Sequence, residues 1–306
     1  MKDGKLRFGL IGTGIWARDI HSVAAGGSDA VHFTSVLGRD RVAVARLAET
    51  HGVAAYTELG EFLGSVDIVG MALPPAIQPG FALAAAAAGK HLLLEKPIAI
   101  SLDDATRIAT ECDKRGLTSI VFFTQLFIPR VQAWIDDAVQ VGGWIGGRVD
   151  GFSSVLVDPK NPYYRTDWRK QAGALWDIGP HAVALLVRVL GQVKLVAASS
   201  GPGDFSALTL THESGAVASI HIAMDLIAPV AGETAVFGSA GKRVLPPSPD
   251  WATESRDAYR NALATLAAAA SGHGGSHPDA RFAAHVTAVL AAAERSMVSG
   301  QRVVPS

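Results

Sequence analysis

Cysteine is almost missing from this 306-residue chain, where Cys112 stands alone. One thiol excludes an internal disulfide, and no Cys/His cluster has the spacing of a zinc site, so no metal centre is expected. Cys112 falls in a helical pattern and reads as a small buried side chain. Charge imbalance is missing too. With 27 Lys and Arg against 28 Asp and Glu, the net charge of −1 offers neither a basic surface for nucleic acid nor attraction to an anionic membrane. No apolar run is long enough to span a bilayer: Ala82–Ala88 is short and lies between Pro79 and Gly89. The start, Met1-Lys2-Asp3-Gly4-Lys5, leads straight into a strand-like segment broken by Arg7 and is no secretory signal, so a cytoplasmic location is expected. No internal repeat is found. What remains is an apolar fraction of 49%, enough for one large domain or two ordinary ones.

The first 120 residues alternate short apolar runs with helical patterns. Leu6–Ile11, Val31–Leu37, Val66–Leu73, His91–Leu94 and Leu117–Phe123 read as strands. Asp40–His51, Gln78–Ala88 and Ser101–Arg115 have the length and composition of crossover helices, with Asp40 and Ser101 as caps. That alternation predicts a parallel sheet covered on both faces. After about residue 145 the rhythm changes. Gly147–Val157, Gln192–Ser200, Asp204–His212, Ala216–Ala223 and Glu233–Phe237 resemble successive strands, and His212–Gly215 suits a hairpin turn. Helical segments follow at Ser255–Ala270 and Pro278–Ser299, separated by the loop Ser271–Ser276. The expected architecture is an α/β Rossmann dinucleotide-binding domain over residues 1–122. An α+β domain with a large, mostly antiparallel open sheet follows over 123–306, for substrate binding and oligomerisation, its last segment free to pack back on the first.

Gly12-Thr13-Gly14-Ile15-Trp16-Ala17 follows the first strand and opens a helical segment, the context that the G-x-G-x-x-G/A fingerprint requires. Gly12 permits the tight turn, Gly14 lets the backbone approach a pyrophosphate, and the helix N-terminus supplies donors and positive dipole. At the end of the second strand an NAD site places a carboxylate, whereas Arg suits the 2′-phosphate of NADP. Here Gly38 occupies that place and Arg39 follows, so NADP is expected over NAD, although Asp40 comes next.

Lys96 follows the His91–Leu94 strand and precedes Pro97, so it is expected to face the cofactor crevice beyond the strand ends. Far downstream, Asp177 and His181 stand four residues apart, a spacing that puts both on one helical face. An ammonium, a carboxylate and a group that titrates near neutrality suit alcohol oxidation. Each has a plainer reading: a solvated lysine, a helix cap and a core histidine. Tyr163, Tyr164, Trp168 and Arg169 lie just upstream in a Pro-containing loop, where rings and a guanidinium suit the face and hydroxyls of a sugar or equally pack on the sheet.

Three segments, Gly9–Gly14, Glu95-Lys96-Pro97 and Gly173–His181, resemble in order the best-marked motifs of the Gfo/Idh/MocA family, named for glucose–fructose oxidoreductase and inositol dehydrogenase. Pro74-Pro75 resembles its nucleotide-contacting turn, and Phe237–Gly241 and Ser299–Val304 its C-terminal landmarks. The resemblance implies an NAD(P)-dependent oxidoreductase acting on a secondary alcohol of a sugar, cyclitol or related polyol, with Lys96, Asp177 and His181 as the catalytic group. It implies cofactor contacts at Gly12, Thr13, Gly14, Ile15, Trp16, Gly38, Arg39, Leu73, Pro74, Pro75, Gln78, Glu95 and Lys96. Substrate contacts are expected at Lys96, Tyr163, Trp168, Arg169, Asp177 and His181. A homodimer or homotetramer through the open sheet is the implied assembly. Relatives also include sensors without turnover and NAD-dependent glycoside hydrolases. The chain departs from the family at Gln78, where many relatives carry His, and at Thr124–Leu126, where polar Asn and Arg are lost.

Overall fold

The computed structural model describes residues 4–164, 166–228, 230 and 232–306. The opening residues Met1–Asp3 lie outside them. The chain divides into two compact units, Met1–Ile128 with Asp250–Ala284, and Pro129–Pro249 with His285–Ser306.

The first unit is built on six parallel strands: β1 (Leu6–Ile11), β2 (Val31–Leu37), β3 (Ala54–Tyr56), β4 (Ile68–Met71), β5 (His91–Glu95) and β6 (Ser119–Phe122). Their order, β3-β2-β1-β4-β5-β6, is the doubly wound order, which reverses between β1 and β4. β4 and β6 are buried throughout and β5 nearly so, which is why they read as unbroken apolar runs rather than alternating ones. Helices α1 (Ser22–Gly26), α2 (Arg41–His51), α3 (Leu59–Ser65), α4 (Gln78–Ala87) and α5 (Leu102–Lys114) connect them. Asp40 caps α2 by accepting from Val42 N and Ala43 N, and Ser101 caps α5 through Asp104 N. Two elements escape the sequence pattern: β3 is too short to show a period, and α3 carries two glycines. The unit runs past residue 122 because the 3-10 turn Thr124–Phe127 packs on α9 (Trp251–Ala270), which also lies against β5 and β6.

The second unit has α6 (Pro129–Val141), α7 (Asp167–Asp177), α8 (Gly179–Leu190) and a sheet of order β12-β11-β7-β10-β9-β8. Its strands are β7 (Trp144–Phe152), β8 (Val193–Ser200), β9 (Ser206–His212), β10 (Val217–Ala223), β11 (Thr234–Gly238) and β12 (Gly241–Val244). All pairs are antiparallel except β7 with β10, whose parallel pairing is allowed by the long segment between them. The expected β9–β10 turn is present, with Gly215 at φ +88° and His212 N donating to Ala216 O. α8 packs on β7 and β10, and a Cβ on Gly147 would meet Leu186 at 2.8 Å. Helix α10 (Ala280–Ser299) follows α9 in the chain. α7 corrects part of the loop expected just before Asp177, since Trp168 and Arg169 stand on its first turn. The stretch Asp167–Leu190 is long and apolar enough to cross a membrane, but it bends at Gly173 and 72% of its most apolar window is buried, as in a core helix.

Candidate functional site

In the first unit the glycine turn sits at the switch point of the sheet. Gly12 adopts φ +122° and donates its N–H to Leu37 O at 2.9 Å, while a Cβ there would stand 2.5 Å from Ala72 O, just past β4. Only glycine meets both demands. Gly14 is exposed, and nothing lies within 4 Å of where its Cβ would be. Ala17 is fully buried beneath the helix that starts at Ile15. An open approach to a helix N-terminus fits the pyrophosphate of a dinucleotide.

At the end of β2, a Cβ on Gly38 would meet Val44 at 2.8 Å and Thr13 at 3.0 Å. A carboxylate cannot be built there without displacing both. The Asp40 carboxylate is committed to two helix N–H groups, and Arg39 and Arg41 stand exposed on either side of it. After β4, Leu73 is half-buried, Pro74 exposed and Pro75 buried; Pro74 O accepts from Ile77 N and Gln78 N to start α4.

Gln78 and Glu95, both expected as cofactor contacts, are held by hydrogen bonds within the first unit. Gln78 is fully buried, its Nε2 donating to Glu95 O at 2.8 Å, Ile98 O at 3.1 Å and Pro97 O at 3.3 Å, and its Oε1 accepting from Glu95 N. An amide so engaged braces the turn bearing Lys96. The buried Glu95 accepts from Trp16 Nε1 at 2.7 Å, lies 2.8 Å from His21 Nε2, and receives Lys96 N at 3.1 Å on its other oxygen. The Lys96–Pro97 peptide is cis.

In the second unit, α7 is broken at Gly173 (φ +66°, ψ −172°), and the residues beyond it form a fresh helical start. Both oxygens of Asp204 accept from Ala174 N at 3.0 Å, and one also accepts from Met224 N, so this carboxylate caps the start and ties it to the end of β10. Burial raises its pKa, against the two backbone donors that lower it. Asp204 was not found from sequence, because it lies 27 residues beyond Asp177 on another element and has no motif of its own.

Asp177 closes α7, and Ile178 keeps right-handed helical dihedrals at the joint with α8. The four-residue spacing to His181 therefore carries through, with both residues on one helical face. Asp177 Oδ2 accepts from Arg169 Nε at 2.8 Å. The Arg169 guanidinium lies 4.6 Å from the Trp168 ring centroid and 4.9 Å from that of Tyr163, so these substrate-site candidates form one cluster with Asp177. Tyr164 stands apart, with Lys170 over its ring.

Residues 6–123 match the model of the oxidoreductase family with an NAD-binding Rossmann fold, GFO_IDH_MocA, and residues 143–244 match the C-terminal domain model of the same family. The chain belongs to the GFO/IDH/MocA family. It is 27% identical over 231 residues to D-xylose 1-dehydrogenase (NADP(+)) 2 of Haloferax volcanii, covering 72% of this chain and 70% of that one. It is 25% identical over 215 residues to the trans-1,2-dihydrobenzene-1,2-diol dehydrogenase of Mus musculus, covering 69% and 62%. Across the curated relatives, the aligned stretches span 54% to 72% of their lengths. The fold is shared with the WlbA dehydrogenase of Bordetella pertussis, solved with NADH and UDP-GlcNAcA, at TM-score 0.84 and 22% identity over 99% of this chain and 98% of that one. The matched family model over residues 6–123 is that of an NAD-binding Rossmann fold.

Proposed function

We propose that this family member oxidises, reversibly, a secondary alcohol of a sugar, cyclitol or related polyol. The observation that carries the reading is Lys96 placed directly after β5, in a doubly wound sheet whose glycine turn fits a dinucleotide. The names of the xylose and dihydrodiol relatives support a substrate bearing neighbouring hydroxyls. When bound, the nicotinamide supplies the hydride acceptor, and Gly12–Trp16, Arg39 and the Leu73–Pro75 turn would hold the cofactor. Arg39 favours NADP, because a guanidinium suits a 2′-phosphate and Gly38 has no room for the competing carboxylate.

His181 takes the hydroxyl proton, a role that an imidazole can fill as general base. Lys96 supplies an ammonium that can stabilise the charge developing on an alcohol oxygen. Asp177, which accepts from Arg169, positions a neighbouring hydroxyl, while the Tyr163 and Trp168 rings suit the apolar face of the substrate. The presence of both Lys96 and His181 favours turnover over a sensor role. Reduced-cofactor absorbance across a panel of polyols and sugars tests the reading. Lys96→Ala and His181→Ala are expected to lower turnover of the active substrate about 10²–10⁴-fold each. Unaltered rates in both would remove these residues from the chemistry.

A further inference from the structure

The helix that follows the glycine turn changes register at once: after Ile15 and Trp16 it runs as a π-helical turn over Ala17–His21 before α1 begins. Five residues make about 1.4 turns of an α-helix, which leaves side chains i and i+5 about 140° apart. A π turn closes its hydrogen bonds at i+5 instead, and such turns recur at functional sites. Trp16 and His21 are five apart, and both reach the same atom: Trp16 Nε1 is 2.7 Å and His21 Nε2 2.8 Å from Glu95 Oε1.

The other carboxylate oxygen accepts from the Lys96 backbone N–H at 3.1 Å, and Gln78 clamps the Glu95 backbone from both sides. His21 is fully buried, stacked on the Tyr259 ring at 4.0 Å and edge-on to Phe122 at 5.9 Å. The imidazole therefore has one place to stand. A buried acceptor shared by two aromatic N–H donors is also costly to leave unsatisfied.

We propose that Trp16, His21 and Glu95 are positioning residues that lock the glycine turn to Lys96, and that the π turn exists to let one carboxylate hold both rings. The inference rests on the functional reading above, since it takes the glycine turn and Lys96 as the two ends of one nicotinamide dinucleotide site. Neither His21 nor Glu95 is required to touch the cofactor. Their effect is to fix the spacing between the pyrophosphate donors and the ammonium, which a dinucleotide of fixed length must span.

The test uses the full chain and NADPH as the probe. Trp16→Phe and His21→Phe keep the rings and remove the donors, Glu95→Gln keeps the shape and removes the charge, and His21→Gln restores a donor. NADPH affinity is read by nicotinamide fluorescence, and backbone hydrogen exchange is read in peptides covering residues 12–22 and 93–98. Each donor or charge removal is expected to weaken NADPH binding about tenfold, the scale of one charge-assisted hydrogen bond. Exchange should rise in both peptides together, and His21→Gln should recover part of the affinity. Unchanged affinity in folded variants, or faster exchange confined to the substituted segment, overturns the proposal. If His21→Phe does not fold, Glu95→Gln carries both readouts. If the unmodified chain binds neither NADPH nor NADH, the functional reading fails, and the paired exchange alone decides whether the two segments are locked.

Discussion

Gly173 concentrates more of the second unit's function than its side chain would suggest. Its φ of +66° breaks α7, and a Cβ would stand 2.4 Å from Asp204 Oδ1. Gly173→Ala therefore meets strain and displaces the carboxylate that caps the Asp177 segment. A loss of roughly 1–3 kcal/mol is expected in urea unfolding, and an unchanged midpoint would contradict this account of the break. Arg39 makes a second residue-scale prediction. Arg39→Ala should lower the ratio of NADP to NAD affinity by about tenfold, as expected for one lost charge-assisted contact. An unchanged ratio in paired fluorescence titrations would remove Arg39 from the phosphate site. Cys112 needs no such test of reactivity, since burial pushes its thiol up to about 11.

At the scale of elements, the buried His212 and the half-buried His285 make the second unit pH-sensitive. His285 Nε2 on α10 accepts from Val193 N at 3.2 Å, which requires a neutral ring, and the pKa is lowered by burial first and by His212 besides, with Glu213 opposing. Burial likewise lowers that of His212, whose Nδ1 lies 2.6 Å from Gly191 O. A histidine with a lowered folded pKa contributes stability that is fully present above its unfolded value, about 6.5, and is lost as pH falls from there through the folded value. The thermal midpoint should therefore fall between about pH 7 and pH 5, and His285→Gln, which keeps an acceptor without titrating, should flatten that fall. An equally steep fall in the variant would assign it elsewhere. The elements show where sequence reading stops. Strands β1, β2, β4, β5 and β6 were legible because buried parallel strands are nearly unbroken apolar runs, and α2 and α5 because their caps are explicit. β3 and β12 were not, being only three and four residues long, and α7 was hidden by its internal glycine and aromatic start. Asp177 and His181 were legible by spacing, whereas Asp204 and the shared acceptor Glu95 depend on contacts between distant segments, which no local pattern encodes.

For the whole molecule, the sheet of the second unit has one face packed by α8 and another carrying Arg148, Asp150 and His221, with Asp150 paired to both neighbours at 2.9 Å. Val217, Phe237 and Val244 stand exposed on it. We propose this face as the contact between copies in a homodimer or homotetramer. Phe237→Lys should shift sedimentation toward the monomer while leaving each unit folded, and a chain that sediments as a monomer before substitution would refute the assignment. The central claim is the nicotinamide-dependent chemistry itself. Its most direct measurement is titration of the purified chain with NADPH and NADH, read as nicotinamide fluorescence. Saturable binding of at least one cofactor, tighter for NADPH, is the predicted result; binding of neither would contradict the account.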